Sequence, residues 1–370
     1  MGGIGQVAAA VGADLLARLP AQNKKQREGL ALLVATALQV RGVNLNELAA
    51  ALPRQTERLD MRYQWISRVL GNGLIEIDAV MAPFAREVLA REVLARSAAG
   101  GRNIVAMIDQ SKVNDAHQML MVSLRVGERA LPLAWRMKKT QGAIGFREQK
   151  EALEAVVAVL PEGACVTLMG DRFYGSPALI DWCRGKGWGW RLRCKQDLLV
   201  FDKDGGETTL AQCFARGEHM LTDIELTQKR ARTNIAMVHE QGHPEPWIIA
   251  LSEAPTTWRA HDYGLRWGIE AMFSDYKTRG FNLEDSQIER TDRLDRLVMV
   301  LGLALYWAVS TGMWDAMENK TPAEKKTRRR KNVARGMISW FKRGLRRLQF
   351  CLQRLIPPPP LWAAWKNDGW

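Results

Sequence analysis

Histidine and cysteine are scarce in this chain of 370 residues, five of each. The cysteines, at 165, 183, 194, 213 and 351, form no CxxC pair, and their odd number argues against a disulfide framework and for a reducing compartment. The histidines make no HExxH or similar ligand spacing, so a structural zinc site has little support, and any metal would have to sit on carboxylates. A basic n-region is missing from "MGGIGQVAAAVGADLLARLP", and Gln6 stands where a myristoylation signal carries Ser or Thr, so no targeting signal is expected. Long apolar runs are rare too. The exception, "LVMVLGLALYWAVSTGMW" at 297–314, has about the minimum spanning length, but it contains Gly, Ser and Thr and follows an arginine-rich turn. A buried core helix is expected there, with no membrane partner. No internal repeat is visible.

What is present is enough apolar material for a full core, 47% of residues, in a chain long enough for one large domain and one or two smaller ones. A formal net charge of +13 favours a polyanionic partner, with nucleic acid the first candidate. The excess is local: residues 320–354 carry thirteen Lys or Arg against Glu324 alone. The run "KKTRRRK" either tracks phosphates or is a solvated charge run.

Residues 24–97 read as helices. "QREGLALLVATALQV" is amphipathic, "NLNELAAALP" starts at an N-cap Asn44 and stops at Pro53, and "RLDMRYQWISRVLGNG" ends on Gly71 or Gly73. Short helices with tight turns, the last carrying Arg58, Arg62, Tyr63 and Arg68, suit either a compact DNA-binding module or a plain helical bundle. The period changes at Gly100. "IVAMID", "QMLMVSLRVG" and "RALPLAWRMKK" read as strands, the last two joined at Gly127; a helix from Arg147 to Leu160 and a strand "CVTLMGD" follow. The order indicates an α/β sheet with an antiparallel hairpin at one side. Helical signal disappears over 188–253, where short strands recur as in a β-rich insertion. The "PPPP" near the end stiffens the exit as polyproline II.

Chemistry can gather in three places. Asp109 follows "IVAMI" and Asp171 follows "VTLMG", so both carboxylates stand at strand C-termini, where open α/β sheets present ligands; either is also a natural cap or turn residue. Ser176 and Pro177 open a helix just beyond Asp171. The third place is "YGLRWGIEAMFSDYK": at about 100° per residue, Tyr263, Arg266, Glu270 and Lys277 share an arc of roughly 60° opposite an apolar face. That stripe is either a solvated face with an i, i+4 ion pair or part of a site. If the helix packs on the sheet, three carboxylates without His or Cys suit Mg2+ or Mn2+, and two such ions support phosphoryl transfer. Arg266 and Lys277 would then hold phosphates, and Tyr263 would hydrogen-bond or stack.

The spacing Y-x2-R-x3-E-x6-K over 263–277 resembles the YREK signature of DDE transposases of the insertion sequence 4 type, and Asp109 in "AMIDQS" and Asp171 in "GDRFYGS" look like the first two acids of the same triad. The resemblance spans about residues 100–310 and, more loosely, the helical N-terminus. It implies an RNase H-like catalytic domain interrupted by a β-rich subdomain and preceded by an all-helical domain. The expected boundaries are 1–98 (helical, DNA-binding), 99–187 and 254–318 (catalytic), 188–253 (insertion) and 319–370 (basic, helical). It further implies that Asp109, Asp171 and Glu270 bind two Mg2+ (or Mn2+), while Tyr263, Arg266 and Lys277 contact DNA. A homodimer on double-stranded DNA would cleave transposon ends and join them to target DNA, in the bacterial cytoplasm near the nucleoid. Arg172 is an added DNA-contact candidate. Trp247 is one for stacking on a flipped base, or else a core residue. Alternatives are an RNase H-like nuclease without strand transfer and a catalytically silent DNA-binding derivative.

Overall fold

The computed structural model describes residues 2–201, 206–239, 242, 245–320 and 338–365. Five helices come first: α1 (Gly3–Arg18), α2 (Lys24–Val40), α3 (Leu45–Ala51), α4 (Leu59–Leu70) and α5 (Ile77–Ala98). Their ends follow the residues expected to set them. The Asn23 and Asn44 side chains accept from Lys25 N and Asn46 N, and Gly71 closes α4. Three strands follow, β1 (Asn103–Lys112), β2 (His117–Val126) and β3 (Arg129–Lys139), then α6 (Phe146–Val157), β4 (Cys165–Gly170), α7 (Pro177–Gly185) and β5 (Gly189–Arg193). β2 and β3 are antiparallel to their neighbours, whereas β4 and β5 run parallel to β1. Central β1 and β4 are buried on both faces, as their unbroken apolar runs require.

The stretch expected as a separate insertion holds β6 (Leu199–Phe201), β7 (Glu207–Thr209), α8 (Leu210–Ala215), β8 (Met220–Leu226), β9 (Ala231–Val238) and β10 (Trp247–Leu251). It does not form a sheet of its own. β10 lies antiparallel on β5, and the whole makes one ten-stranded mixed sheet in the order β3-β2-β1-β4-β5-β10-β9-β8-β6-β7. The boundary expected at 187/188 therefore falls just before a strand that belongs to both parts. Short α8 carries no helical period long enough to read from sequence, although Thr209 and Gln212 form a reciprocal capping box at its start.

After β10 come α9 (Thr257–His261), a 3-10 turn (Asp262–Trp267), α10 (Gly268–Tyr276), α11 (Thr291–Glu318) and α12 (Trp340–Arg354). Helix α11 is long and apolar enough to cross a membrane, but 94% of its most apolar window is buried inside the protein, as expected of a core helix. Gly312 of α11 and Gly344 of α12 let the two backbones touch, since a Cβ on either would collide with the other's main chain. The run 325–331 expected to meet phosphates lies outside the described residues.

The main apolar cluster extends without a break from Ile4 and Leu15 of α1 through the sheet to Trp362 and Trp365. The helices of 1–98 are therefore not a detached module: α1 and α2 pack on α11 and α12, and α5 covers β1 and β3. The helical region expected at 1–98 thus shares its core with the sheet and with α11 and α12. The indoles near the end close the core from outside, with Trp362 N donating to Ser310 Oγ at 2.5 Å.

Candidate active site

Ile108 of β1 sits opposite Gly170 of β4 in the parallel register, so Asp109 and Asp171, the next residues, stand side by side where β4 ends. Asp109 is not at the end of its own strand as expected, because β1 runs on to Lys112 along β2, with Asp109 paired to Met121. Local main chain orients each carboxylate. Asp109 Oδ1 accepts from Gln110 N at 2.8 Å, and Asp171 Oδ1 accepts from Phe173 N at 2.8 Å. Position 170 has to be glycine because a Cβ there would stand 2.7 Å from Cβ of Tyr174, which folds back over the strand end. Tyr174 is buried, and its hydroxyl has no hydrogen-bond partner among the described residues. Burial, then the charges of Asp109 and Asp171, push this phenol well above its ordinary range. Sequence motifs do not single out Tyr174; the available signal is an aromatic bracketed by Asp171 and Gly175 in a tight turn.

The third group arrives through the 3-10 turn. Gly264 and Gly268, four apart, weaken a regular α-helix here, and Gly268 lies against the Arg129 main chain at 3.3 Å measured from an ideal Cβ. Arg191 of β5 pairs with Asp262 at 3.0 Å and Arg125 donates to the Leu265 carbonyl at 2.5 Å, so both ends of the turn are pinned to the sheet. In a 3-10 turn side chains three apart eclipse. Tyr263 and Arg266 accordingly stack, the guanidinium carbon 5.6 Å from the ring centroid. The expected single helical stripe is thus corrected: Tyr263 and Arg266 precede the α-helix, Glu270 lies in its first turn, and Lys277 is its C-cap.

Arg266 is buried and links two carboxylates, donating to Asp109 Oδ2 at 2.9 Å and to Glu270. Burial, then the neighbouring charge of Asp171, pushes the Asp109 carboxyl up to about 7, with Arg266 pulling the other way. One guanidinium does not balance the pair of aspartates. Among the described residues no three His, Cys, Asp or Glu side chains converge closely enough to hold a metal as they stand. The donor chemistry nevertheless fits a hard divalent cation: only oxygens, a shortage of positive charge at Asp109 and Asp171, and an orphaned Tyr174 hydroxyl beside them. Glu270 is the least enclosed member, its side chain 54% exposed and, among the described residues, paired only with Arg266. Lys277 points elsewhere, to Glu284 Oε1 at 2.7 Å.

The remaining candidates separate. Arg172 is exposed next to Asp171 and only loosely paired with Glu245, at 3.8 Å. Trp247 is 4% exposed in a small second core with Tyr263, Ile249 and Ala260. Its ring meets those of Tyr263 and Trp267 edge-on at 5.6 and 5.7 Å, which corrects the base-stacking expectation in favour of a core indole. Arg62 donates to the carbonyls of Thr56, Ala49, Ala50 and Glu57, tying α4 to the α3–α4 loop; its donors are occupied, so it is withdrawn as a DNA contact.

Fold and site together define a mixed α/β protein with neighbouring aspartates on adjacent parallel strands, one within β1 and one just past the end of β4, and a glutamate brought in by a later helix. Residues 151–307 match the family model described as "Transposase DDE domain", which supports a DDE transposase, a nucleic-acid-processing enzyme with DNA as partner. That family generally uses divalent metal ions. The match includes Asp171 and Glu270 and begins after β1, so Asp109 joins the set through the strand register. No curated protein matches the chain.

Proposed function

We propose that the chain is a DNA transposase that cleaves transposon ends and joins them to target DNA, with Asp109, Asp171 and Glu270 as the acidic triad. The observation that supports this best is the guanidinium bridge, in which Arg266 ties Glu270 to Asp109 while Asp171 stands beside Asp109 on the neighbouring strand. The strand order β3-β2-β1-β4-β5, antiparallel then parallel, favours an RNase H-like catalytic core, and β6 to β9 interrupt it between Asp171 and Glu270.

In this reading the three carboxylates hold two divalent ions, Mg2+ or Mn2+. When bound, the ions supply the positive field that eases deprotonation of an attacking hydroxyl and stabilises the leaving oxygen at phosphorus. The protein's own groups do the positioning. Asp109 and Asp171 are fixed by main-chain amides, so their oxygens are oriented before DNA arrives. Arg266 offsets part of their charge, and its guanidinium carries N–H donors suited to a phosphate. Tyr263 supports Arg266 from beneath with its ring. Lys277 exchanges Glu284 for a phosphate, and exposed Arg172 extends the basic rim. A homodimer brings two ends together.

The test is incubation of the purified protein with Mg2+ and the repeats flanking its own gene. Cut ends and joined products support transposition, and both disappear in Glu270→Gln while DNA binding persists. Nicking without joining indicates a nuclease. Binding without nicking by the wild type indicates a catalytically silent derivative.

A further inference from the structure

The cavity of about 640 Å3 between α12, β3 and the end of α10 is lined by Arg41, Arg129, Arg279, Lys342 and Arg346, with Asp275 the single carboxylate among its walls. These cations come from four separate parts of the chain: the α2 C-cap, the start of β3, the loop after α10 and the first turns of α12. Arg129 and Asp275 form a buried ion pair at the floor. Arg41, Arg279, Lys342 and Arg346 are exposed at the mouth, and none of the four has a carboxylate partner among the described residues. Four unpaired charges held around one hollow repel one another, which costs stability unless an anion is their purpose.

We propose that this cavity is a second phosphate-binding subsite, which grips the backbone of a DNA duplex whose other part lies at the triad. The inference rests on the transposase reading and adds to it a surface built from residues outside the triad and its neighbours. Asp275 is on α10, five residues beyond Glu270, so the floor of the cavity lies about 7.5 Å along the helix axis and about 140° around it from the triad glutamate, and a duplex reaching both passes around α10. One rigid helix thereby links both places. An extended polyanion fits better than a small enclosed anion, because four of the five cations are spread around the rim and only Arg129 is deep. Arg129 also shows the local excess of positive charge: burial, then the facing Arg279, push its guanidinium down to about 10, and its Nε has no hydrogen-bond partner. Backbone phosphates offer oxygens at regular spacing to such a rim, without any demand on base sequence.

The experiment compares the full-length wild type with Arg41→Ala/Arg279→Ala/Arg346→Ala, reading fluorescence anisotropy of a labelled DNA duplex between about 50 and 200 mM salt. All three side chains are exposed, and a thermal-unfolding scan checks that the variant is folded. A control, Lys25→Ala/Arg86→Ala/Lys150→Ala, removes the same charge elsewhere on the surface. The expected result is a fall in the slope of log affinity against log salt by about 0.9 for each phosphate that is no longer neutralised, up to about 2.7 in the triple variant, with a much smaller change in the control. Equal slopes for the wild type and the rim variant overturn the subsite, as does an equal fall in the control. So does tight, rim-dependent binding of inorganic phosphate or ATP with an unchanged DNA slope, which assigns the cavity to a small anion. A wild type that binds no DNA at all defeats the transposase reading itself and is thereby distinguished from failure of the subsite alone.

Discussion

Arg266 is the residue on which the site turns. Arg266 and Asp109 form the buried half of the bridge, and removing the guanidinium leaves the buried Asp109 charge uncompensated, whereas Glu270 is half exposed to water. Replacing Arg266 by Ala is therefore expected to cost about 3 kcal/mol in metal-free protein, measured by urea unfolding. If the acids are cation ligands, Mg2+ restores part of that loss, whereas a purely structural pair leaves the variant indifferent to Mg2+. Glu270→Gln should behave in the opposite way. Its side chain is exposed, so stability stays within about 0.5 kcal/mol of the wild type while metal-dependent cleavage falls to background. The three acids and Arg266 were all legible in the sequence, since their types and spacing survive any local change of helix geometry. Tyr174 was not, because a tyrosine in a turn carries no sign of whether it folds inward.

At the scale of elements, short-range pattern and tertiary demand disagree most in the segment from β10 to α10. A uniform helical period puts Tyr263 and Lys277 on one stripe, but packing against the sheet tightens the first turn and sends Tyr263 into a core with Trp247. Trp247→Ala should consequently cost about 3–5 kcal/mol by urea unfolding, as for a core aromatic. An unchanged midpoint would return Trp247 to the surface and revive a stacking role. A second pairing of elements has a pH signature. Asp295 of α11 accepts from Trp135 Nε1 of β3 at 2.6 Å, and burial pushes its carboxyl up to about 6, partly opposed by that bond and by Arg136. A raised folded-state pKa makes its contribution full below about pH 4 and lost as pH rises through about 6. Between about pH 4 and 7.5 the wild type should lose on the order of 2–3 kcal/mol relative to Asp295→Asn, which keeps the acceptor oxygen without the charge. Parallel urea curves for the two proteins across that range would refute the assignment.

For the whole molecule, the continuous core carries the main consequence. Since α1, α2 and α5 contribute buried faces to the sheet and to α11 and α12, a fragment of residues 99–370 exposes their apolar partners. Such a fragment should aggregate or lack a cooperative thermal transition. A well-folded fragment would show instead that residues 1–98 form a domain with its own core. Sequence could not decide this, because an amphipathic helix shows that it has an apolar face without showing what covers it.

The sequence by itself determined the α/β class, most helix starts, the strands on both sides of the Gly127 hairpin, and Asp171 at the end of its strand, because those depend on neighbours a few positions apart. Tertiary structure alone decided that ten strands form one sheet, that α1–α5 share its core, that Arg266 bridges Asp109 and Glu270, and that Arg62 and Trp247 face inward. Each of those outcomes depends on which distant surfaces meet, and burial and charge balance between segments fix that only once the chain is folded.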